Sequence, residues 1–410
     1  MLSAVRALLG LAVVAAVLLV VAGAGASPAR RQVASWGSHG SARIRNVQLN
    51  QLLEDRAGRV VGLGLFDNKQ PAGSHATVVR LLPDGRFDTS FGKGGFVNAP
   101  YRRYLGWAGG AILGNGKIVL AGTDDYGAVG GDARVVLSIL DDRGRLDTTF
   151  GTGGYLTVQE RCVHGATGIA ADGGGFVVVL LRACSDTGTQ TPILARFTAT
   201  GAVAPDFGTR GQVQLADIPW QADPTTPIAR LPNGSFVVAS FVKGAALLQL
   251  TRIRADGSRD AGFRALPARV GAGPLGVRAT AIFVARLGRL TVTGCSQAGP
   301  FQVRYNRDGS AYRFWGGPAV GRTNVENFGG AFGAPCASFA QLRSYKLAAA
   351  GTALVRLYPS GLLDPFHPIA PLPAFRPSAQ QPAHVLLALS DGAVLVTSQV
   401  ERDTLIGRYR

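Results

Sequence analysis

The chain has 410 residues, of which 47% are hydrophobic and 16% are charged. This composition is typical of a folded protein with a large core and excludes an intrinsically disordered chain. The formal net charge of +17 favours anionic partners such as acidic wall polymers, lipid headgroups or nucleic acid. A general preference of the genome for arginine is the alternative explanation of this charge.

The first predicted element is a secretory signal peptide over residues 1–26. Arg6 precedes the apolar run Ala7–Val21, and small residues up to Ala26 offer an A-x-A cleavage site. An uncleaved anchor is the alternative, because the apolar stretch is just long enough to span a bilayer. We therefore expect a secreted, extracellular or cell-envelope protein that meets a membrane only if this segment is retained. Since the basic residues are scattered and the protein is exported, we expect no nucleic-acid partner.

A nine-residue phrase recurs after a short linker at residues 27–32. It reads Phe87–Gly95 in one copy, Leu146–Gly154 in the next and, more altered, Val203–Gly211 in a third. A turn that ends in glycine precedes each copy, and the same kind of turn recurs every 52–59 residues along the chain. The turn glycines are Gly85, Gly144, Gly201, Gly257, Gly309 and Gly361. Repetition at this period predicts an array of similar structural units.

A second tight turn divides each unit, as at Gly116 in the second one. The apolar runs around these turns are short and rich in β-branched residues, which predicts hairpins and four strands per unit. In the second unit the predicted strands are Gly110–Leu113, Ile118–Ala121, Arg134–Leu140 and Tyr155–Val158. The mid-unit turns fall near Gly58, Gly116, Gly174, Gly234, Gly288, Tyr345 and Gly392. The sequence therefore predicts an all-β fold at residues 33–410: a seven-bladed β-propeller of four-stranded antiparallel blades.

The two ends of the chain are predicted to share one blade. The last unit stops at Arg410 without a Phe-Gly phrase, while Trp36–Gly40 near the N-terminus matches the spacing of Phe91–Gly95. A shared blade would close the ring and cover the last open sheet edges. A chance Trp-Gly pair in a linker is the alternative.

The phrase Leu146–Gly154, after its turn and an Asn115–Gly122 hairpin, resembles the delta-60 repeat of bacterial secreted and surface proteins. The first two units match this repeat closely, the third moderately and the later ones in part. The resemblance implies a propeller-like fold. It implies no activity and transfers no catalytic residue.

Four cysteines agree with export to an oxidising compartment: Cys162, Cys184, Cys295 and Cys336. Cys162 and Cys184 are equally far from Gly173 at the centre of a predicted hairpin. Cys295 and Cys336 end and precede strands of neighbouring units. We predict disulfides between Cys162 and Cys184 and between Cys295 and Cys336, out of three possible connectivities. A metal site is the alternative, but no Cys-x-x-Cys spacing supports it.

The variable loops are the predicted binding surface. In a four-stranded blade, the repeated turns share one face and the connections that vary most share the other. Variable loops on a rigid scaffold commonly carry binding residues. Aromatic and basic side chains, which suit a sugar ring or an anionic polymer, fall in these loops. They are Tyr101, Arg102, Arg103, Tyr104, Trp107, Tyr126, Arg161 and Trp220. For the two tryptophans, filling a gap between blades is the alternative role.

Acidic residues in the same loops leave a catalytic function open. They are Asp124, Asp125, Asp132, Glu160, Asp186 and Asp223. If they converge at the mouth of the channel, they would suit Ca²⁺ binding or acid/base work by a hydrolase or lyase. Solvated loop acids are the simpler explanation, and the repeated Asp88 and Asp147 are predicted to form turns.

No protease, esterase, phosphate-loop or dinucleotide motif is present, so no catalytic residue, metal ligand or cofactor is identified. The sequence therefore favours a monomeric binding protein whose partner is an anionic cell-wall polymer, a glycan or another protein.

Overall fold

A computed structural model describes most of the chain from residue 32 onwards. The described residues are 32–66, 75–99, 106–124, 134–158, 162–184, 189–219, 226–242, 245–271, 277–285, 287–296, 299–312, 325–327, 337–342, 347–350, 353–357, 370–371 and 385–410. The predicted signal peptide lies outside them. Within the described part, no helix is long and apolar enough to cross a membrane.

The described elements are short β-strands, numbered here along the chain. The first are β1 Ser41–Ile44, β2 Val47–Glu54, β3 Val60–Phe66, β4 His75–Leu81, β5 Phe96–Asn98, β6 Gly106–Ile112, β7 Ile118–Asp124, β8 Arg134–Leu140, β9 Tyr155–Val158 and β10 Val163–Asp172. They continue as β11 Gly175–Cys184, β12 Thr189–Thr198, β13 Gln212–Gln214, β14 Ile218–Pro219, β15 Ile228–Arg230, β16 Phe236–Phe241, β17 Leu247–Ile253, β18 Ala268–Arg269, β19 Arg278–Val284 and β20 Leu290–Ser296. The last are β21 Gly299–Tyr305, β22 Val325–Asn327, β23 Ser338–Gln341, β24 Leu347–Ala350, β25 Ala353–Leu357, β26 Ala370–Pro371, β27 Leu386–Ala388, β28 Val394–Val400 and β29 Asp403–Tyr409.

Consecutive strands pair antiparallel, and the described strands form the blades of a β-propeller. Six sheets have four strands each: β2 to β5, β6 to β9, β15 to β18, β19 to β22, β23 to β26, and β27 to β29 with β1. The sheet of β10 to β13 has a fifth strand, β14, which also pairs with β12. The prediction of seven four-stranded blades is therefore wrong, because six blades have four strands and the remaining sheet has five.

The fifth strand exists because the central strands of that sheet are longer. Strands β11 and β12 have ten residues each, against seven in β7 and β8. Outer strand β13 pairs with β12 only at Ile193–Ala195, which leaves the far end of β12 open. The chain returns to that end, where Ile218 and Pro219 pair with Gln190 and Thr189. The extra strand thus continues the outer edge of the sheet.

The ring closes through the two ends of the chain. Strand β1 pairs with β29 from Ser41 to Ile44, so one sheet contains N-terminal and C-terminal residues. Val33 N donates a hydrogen bond to Arg408 O at 2.9 Å, which extends this pairing towards Trp36. The innermost strand of each sheet contacts that of the next sheet, and β27 contacts β2. Closure of this kind removes two exposed sheet edges.

The core lies between neighbouring sheets. Central strands such as β7 and β8 are buried on both faces, which explains why they read as continuous apolar runs. One cluster joins Val119 and Leu137 of one sheet to Val178 and Leu180 of the next. Because every sheet is covered on two sides, the alternation of buried and exposed residues is lost in these strands.

The repeated phrase joins each blade to the next. The aromatic ring of a phrase lies against the turn glycine of the following unit: Trp36 on Gly85, and Phe91 on Gly144. A Cβ atom on Gly85 would lie 2.6 Å from Trp36 Cδ2, and both turn glycines have positive φ. Glycine is therefore required at these turns both for the backbone and for the approach of the ring. Trp36 fills the place of the phrase aromatic, which supports the predicted equivalence of Trp36–Gly40 and Phe91–Gly95.

Three arginines, of which Arg80 is buried and the other two are half-buried, strengthen the same junctions. Arg80 in β4 donates from Nε to Asp88 Oδ2 at 2.8 Å and from Nη1 to Asp142 O of the next unit at 2.5 Å. Arg196 and Arg252 occupy equivalent positions and donate to the carbonyls of Ala255 and Arg307. Each of these guanidinium groups also lies over a phrase phenylalanine, at 4.3, 5.8 and 4.7 Å from the ring centroid. These cation–π contacts and hydrogen bonds tie neighbouring blades together.

Candidate functional site

The strand order assigns the connections to two faces of the ring. The turn face carries the hairpins between first and second strands and the repeated phrases. The loop face carries the connections between second and third strands and the passages to the next sheet. On the loop face, Phe66 ends β3 and His75 begins β4, with their rings stacked at 5.0 Å between centroids. The sequence assigns the predicted site residues to the loop face.

On the turn face, Asp88 and Asp147 stabilise the turns in which they lie. Asp88 Oδ1 accepts hydrogen bonds from Ser90 N at 3.1 Å and Ser90 Oγ at 2.6 Å, and Asp147 makes the same pattern with Thr149. Burial by itself raises the pKa of Asp88, but the bonds from Ser90 and the charge of Arg80 together lower it. The hydrogen bond from Lys117, together with those from Thr149, lowers the pKa of Asp147 to about 2. Both carboxylates stay ionised at neutral pH, which suits ion pairing and turn formation but not proton donation. The prediction that these two residues form turns is confirmed.

Most of the predicted binding residues fall in parts of the chain that the structure does not describe. Tyr101, Arg102, Arg103, Tyr104, Tyr126, Arg161 and Trp220 lie outside the described residues. Trp107, which was expected in a loop, belongs instead to strand β6 and pairs through its backbone with Gly122. The strand begins earlier than its sequence indicates because a β-bulge lets Gly106 and Trp107 stay paired with β7.

The predicted loop acids are represented by Asp124 alone. Asp124 ends β7 and is buried, with 3% of its surface exposed. Asp125, Asp132, Glu160, Asp186 and Asp223 lie outside the described residues. Among the residues that are described, no group of three or more His, Cys, Asp or Glu side chains is arranged to hold a metal ion.

Another loop-face acid closes the ring. Asp403 accepts a hydrogen bond from Asn46 N at 2.9 Å and one from Arg43 Nε at 2.6 Å. The bond from Asn46 and then that from Arg43 lower the pKa of Asp403. Thr404 Oγ1 also donates to Val47 O at 2.6 Å. Asp403 therefore joins the C-terminal hairpin to the N-terminal strands and is ionised at neutral pH.

The five-stranded sheet extends further towards the loop face than its neighbours. The pairing of β11 with β12 continues through Arg182 to Cys184, three residues more than in the seven-residue strands β7 and β8. Ala183 N donates to Cys162 O at 2.7 Å, so Cys162 lies beside the end of β11, next to Cys184. Within the described residues there is no free cysteine. Thr191 Oγ1 donates to the carboxylate of Asp217, which fastens the turn before β14.

An open groove of about 630 Å³ runs along the outer edge of this sheet. We call it the rim groove; it is lined by Arg182, Ile193, Gly208, Thr209, Arg210, Gln212, Val213, Gln214 and Gly257. Among the residues that the structure describes, its lining contains two arginines and no acid. Two nearby acidic side chains already accept hydrogen bonds. Asp217 accepts one from Thr191 Oγ1, and Asp256 accepts one from Ser258 N at 2.8 Å. The groove is therefore basic and has polar side chains along one wall.

Arg210 carries a sequence signal that the prediction overlooked. In the close copies of the phrase the equivalent residues are Gly94 and Gly153, with φ of +64° and +61°. Arg210 keeps the same left-handed conformation at φ +53°, which is unfavourable for a residue with a Cβ atom. Its side chain is exposed at the edge of the rim groove. In Trp36–Gly40 the same position is His39, at φ +54°, so a comparison of the copies would have shown a second replacement of this glycine and not Arg210 alone.

Together these features define a β-propeller with a structural turn face and a basic groove at its rim. Residues 58–91 match the family model described as "Domain of unknown function (DUF5122) beta-propeller". The match covers one unit and agrees with the propeller fold, while the resemblance to delta-60 repeat proteins stays a prediction. No curated protein matches the chain.

Several solved structures are similar to the chain at low sequence identity. A protein of unknown function from Dyadobacter fermentans is 11% identical with a TM-score of 0.43, over 94% of this chain and 100% of that one. The β-propeller domain of the Trilobed protease from Pyrococcus furiosus is 10% identical with a TM-score of 0.42, over 89% and 94% of the two chains. Trypanosoma rangeli sialidase is 8% identical with a TM-score of 0.47; 94% of this chain covers 60% of the sialidase. The chain thus spans less than two thirds of the sialidase, and these likenesses concern the fold alone.

Proposed function

We propose that the protein is a secreted or cell-envelope binding protein that holds an anionic wall polymer, a glycan or a protein on its loop face. The observation that carries the proposal is the difference between the two faces. The turns of one face are used to join blades, through ring contacts such as Trp36 on Gly85 and hydrogen bonds such as Arg80 to Asp142. Among the described residues of the loop face no contact of this kind recurs from blade to blade, which supports connections there that specialise for binding.

Charge supports an anionic ligand. The net charge is +17, and several turn-face arginines are already paired with acids, as Arg80 is with Asp88 and Arg252 with Asp260. Arg102, Arg103 and Arg161 lie outside the described residues, and in the loops predicted from the sequence they would add positive charge to the opposite face. Arginine presents a planar set of donors that matches carboxylates and phosphates. The hydrolase or lyase alternative needs converging carboxylates, and of its candidate acids the described residues include only Asp124.

Export and disulfides belong to the same proposal. Cleavage near Ala26 would release the propeller as a monomer, and oxidation would pair Cys162 with Cys184 and Cys295 with Cys336. The bond from Ala183 N to Cys162 O supports the first pairing, because it places Cys162 next to Cys184 along the strands. Peptide mapping of the exported protein without reduction should recover both linked peptides. A Cys162–Cys295 peptide would contradict the pairing.

Retention on purified cell wall across a salt series tests the binding function. We expect retention to be strongest at low ionic strength and to weaken as salt screens the charges. The double variant Arg102→Gln/Arg103→Gln should bind about tenfold more weakly, since two charge contacts with the ligand at roughly 0.7 kcal/mol each add to about 1.4 kcal/mol. The matched control is Arg86→Gln/Arg145→Gln, which removes the same charge from exposed side chains of the turn face.

Two results would count against the proposal. Absence of retention at low salt would contradict an anionic wall polymer as the ligand. Equal weakening by the loop-face and turn-face variants would show that net charge alone, rather than the loop face, determines retention.

A further inference from the structure

The turn face carries a small apolar surface where two neighbouring blades meet. Among the described residues three large hydrophobic side chains are exposed, and two of them are Leu266 and Leu287, at 80% and 68%. Leu266 follows Phe263 in the altered phrase between β17 and β18, and Leu287 is in the hairpin between β19 and β20. A single exposed leucine is ordinary on a protein surface, whereas exposed apolar groups that lie together mark an interaction site.

One turn of the β19–β22 blade lies between the two leucines. On one side, Arg264 N, two residues before Leu266, donates a hydrogen bond to Asp308 O at 2.7 Å. On the other side, the Arg307 side chain lies on the glycine next to Leu287, where a Cβ atom would be 3.0 Å from Arg307 Cγ. The two leucines therefore flank the same turn on the same face of the ring.

Neither leucine stabilises the turn in which it lies. At the position of Leu287 other hairpins have Asn115 and Asn233, whose Oδ1 atoms accept the backbone N–H two residues further on at 3.1 and 3.2 Å. A leucine side chain cannot accept this hydrogen bond. Leu266 stands where the close copies of the phrase have an exposed glycine. Because this copy has lost the glycines after Phe263, no tight turn forms there and Leu266 is left in solvent.

The same surface is basic. Arg264, Arg289 and Arg307 are exposed around the leucines. Arg289 lies over a tyrosine ring, 4.8 Å from its centroid, a contact that brings no opposite formal charge. Arg307 forms no ion pair with the described residues. Asp308 lies close enough to Arg264 to interact with its charge, so it balances one of the three arginines.

The next acid along the face is already paired. Asp260 accepts hydrogen bonds from Arg252 Nε at 2.7 Å and from Arg254 Nη2 at 3.1 Å. The surface around the two leucines therefore keeps a net positive charge, which complements an anionic partner.

We propose that Leu266, Leu287, Arg264, Arg289 and Arg307 form a docking patch for an anionic lipid membrane. Exposed apolar groups enter the boundary between headgroups and acyl chains, and basic groups beside them meet the anionic headgroups. The patch lies on the turn face, so the inference goes beyond the proposed function, which uses the loop face. It also departs from the expectation that the chain meets a membrane only through its N-terminal segment.

The test measures co-sedimentation of the chain from Ser27 onwards with lipid vesicles at low salt. This chain contains every described strand and lacks the apolar N-terminal run, which could bind vesicles by itself. We expect binding to vesicles of equal parts phosphatidylcholine and phosphatidylglycerol, and little binding to phosphatidylcholine alone. Binding should weaken as salt screens the arginines.

Two patch variants separate the apolar and the charged contributions. Leu266→Ser/Leu287→Asn should bind about tenfold more weakly, because it removes the groups that enter the bilayer. Arg307→Gln should bind about fivefold more weakly, the effect of one basic residue at an anionic surface. Val203→Thr, at the third exposed apolar side chain, and Arg86→Gln, an equal loss of charge in another blade, are the controls and should bind as the wild type does.

Four results would overturn the inference. Leu287→Asn restores the residue of equivalent hairpins and should unfold at the wild-type temperature or above it, so a lower temperature would show that Leu287 serves the fold. Wild-type binding in both patch variants, or equal binding to both kinds of vesicle, would remove the docking patch. Retention on cell wall without any vesicle binding would remove the membrane surface and leave the proposed function standing. A wild-type dimer that the double leucine variant lacks, with no vesicle binding, would replace the membrane by a second copy of the chain.

Discussion

Replacing Arg80 by methionine should destabilise the propeller more than any exposed arginine change. Arg80 is 2% exposed and bonds both Asp88 and Asp142 O. Methionine keeps the apolar stem but leaves the Asp88 carboxylate buried without its main partner. Breaking a buried ion pair from one side costs about 3–5 kcal/mol. Ser90 still donates to Asp88, and Arg59 lies 3.9 Å away, so we expect the lower end, about 3 kcal/mol.

Calorimetric unfolding of the purified protein at neutral pH measures this effect. With an unfolding entropy of about 2.1 cal/mol/K per residue, 3 kcal/mol in a chain of this length lowers Tm by about 4 °C. Arg86→Met is the control, because Arg86 pairs with Asp84 in the same unit but its side chain is 74% exposed, which predicts a loss below about 1 kcal/mol. Adding Asp88→Asn to Arg80→Met should recover part of the loss. A Tm of Arg80→Met equal to that of Arg86→Met would refute the role of the buried pair.

Two further predictions concern the turn face. Gly144→Ala should destabilise more than Gly116→Ala: both have positive φ, but only at Gly144 would Cβ lie 2.9 Å from Phe91 Cε2, and equal denaturation midpoints would contradict this ring contact. Because the pKa of Asp147 is about 2, below its usual 3.8, this carboxyl stabilises the fold above pH 3.8 and loses the effect as pH falls towards 2. Lys117→Met should therefore remove on the order of 1 kcal/mol at pH 7 and little at pH 2, whereas the exposed Lys93→Met should change neither.

The strands of the second unit illustrate what a sequence pattern predicts well. Arg134–Leu140 and Tyr155–Val158 were predicted with the bounds that β8 and β9 have. Strands β6 and β7 extend further towards the loop face than predicted, since Gly106 and Trp107 pair with Thr123 and Gly122. The glycines on both sides of Trp107 hide this strand in the sequence, because glycine is depleted in strands. The pairing is maintained by a neighbouring strand, which the local pattern does not contain.

The candidate site was harder to predict than the fold. The aromatic and basic loop residues were chosen by composition, and Trp107 proved to be a strand residue. The rim groove was missed because its lining comes from two blades: Arg182 and Arg210 belong to the unit of the five-stranded sheet, and Gly257 belongs to the next unit. The sequence does show that Arg210 stands where close copies of the phrase have glycine. That this residue has a left-handed conformation is seen only in the structure.

The sequence by itself determined the repeating unit, because the Phe-Gly phrase and its turn glycine are local requirements of backbone geometry and ring contact. It also contained the match of Trp36–Gly40 to the phrase. Only the tertiary structure decided that one sheet has a fifth strand, that Arg80, Arg196 and Arg252 join successive blades, and that a basic groove lies at the rim. These features arise between strands that are distant along the chain. There the energy of strand pairing and side-chain burial depends on which sheet edges and side chains the closed ring brings together.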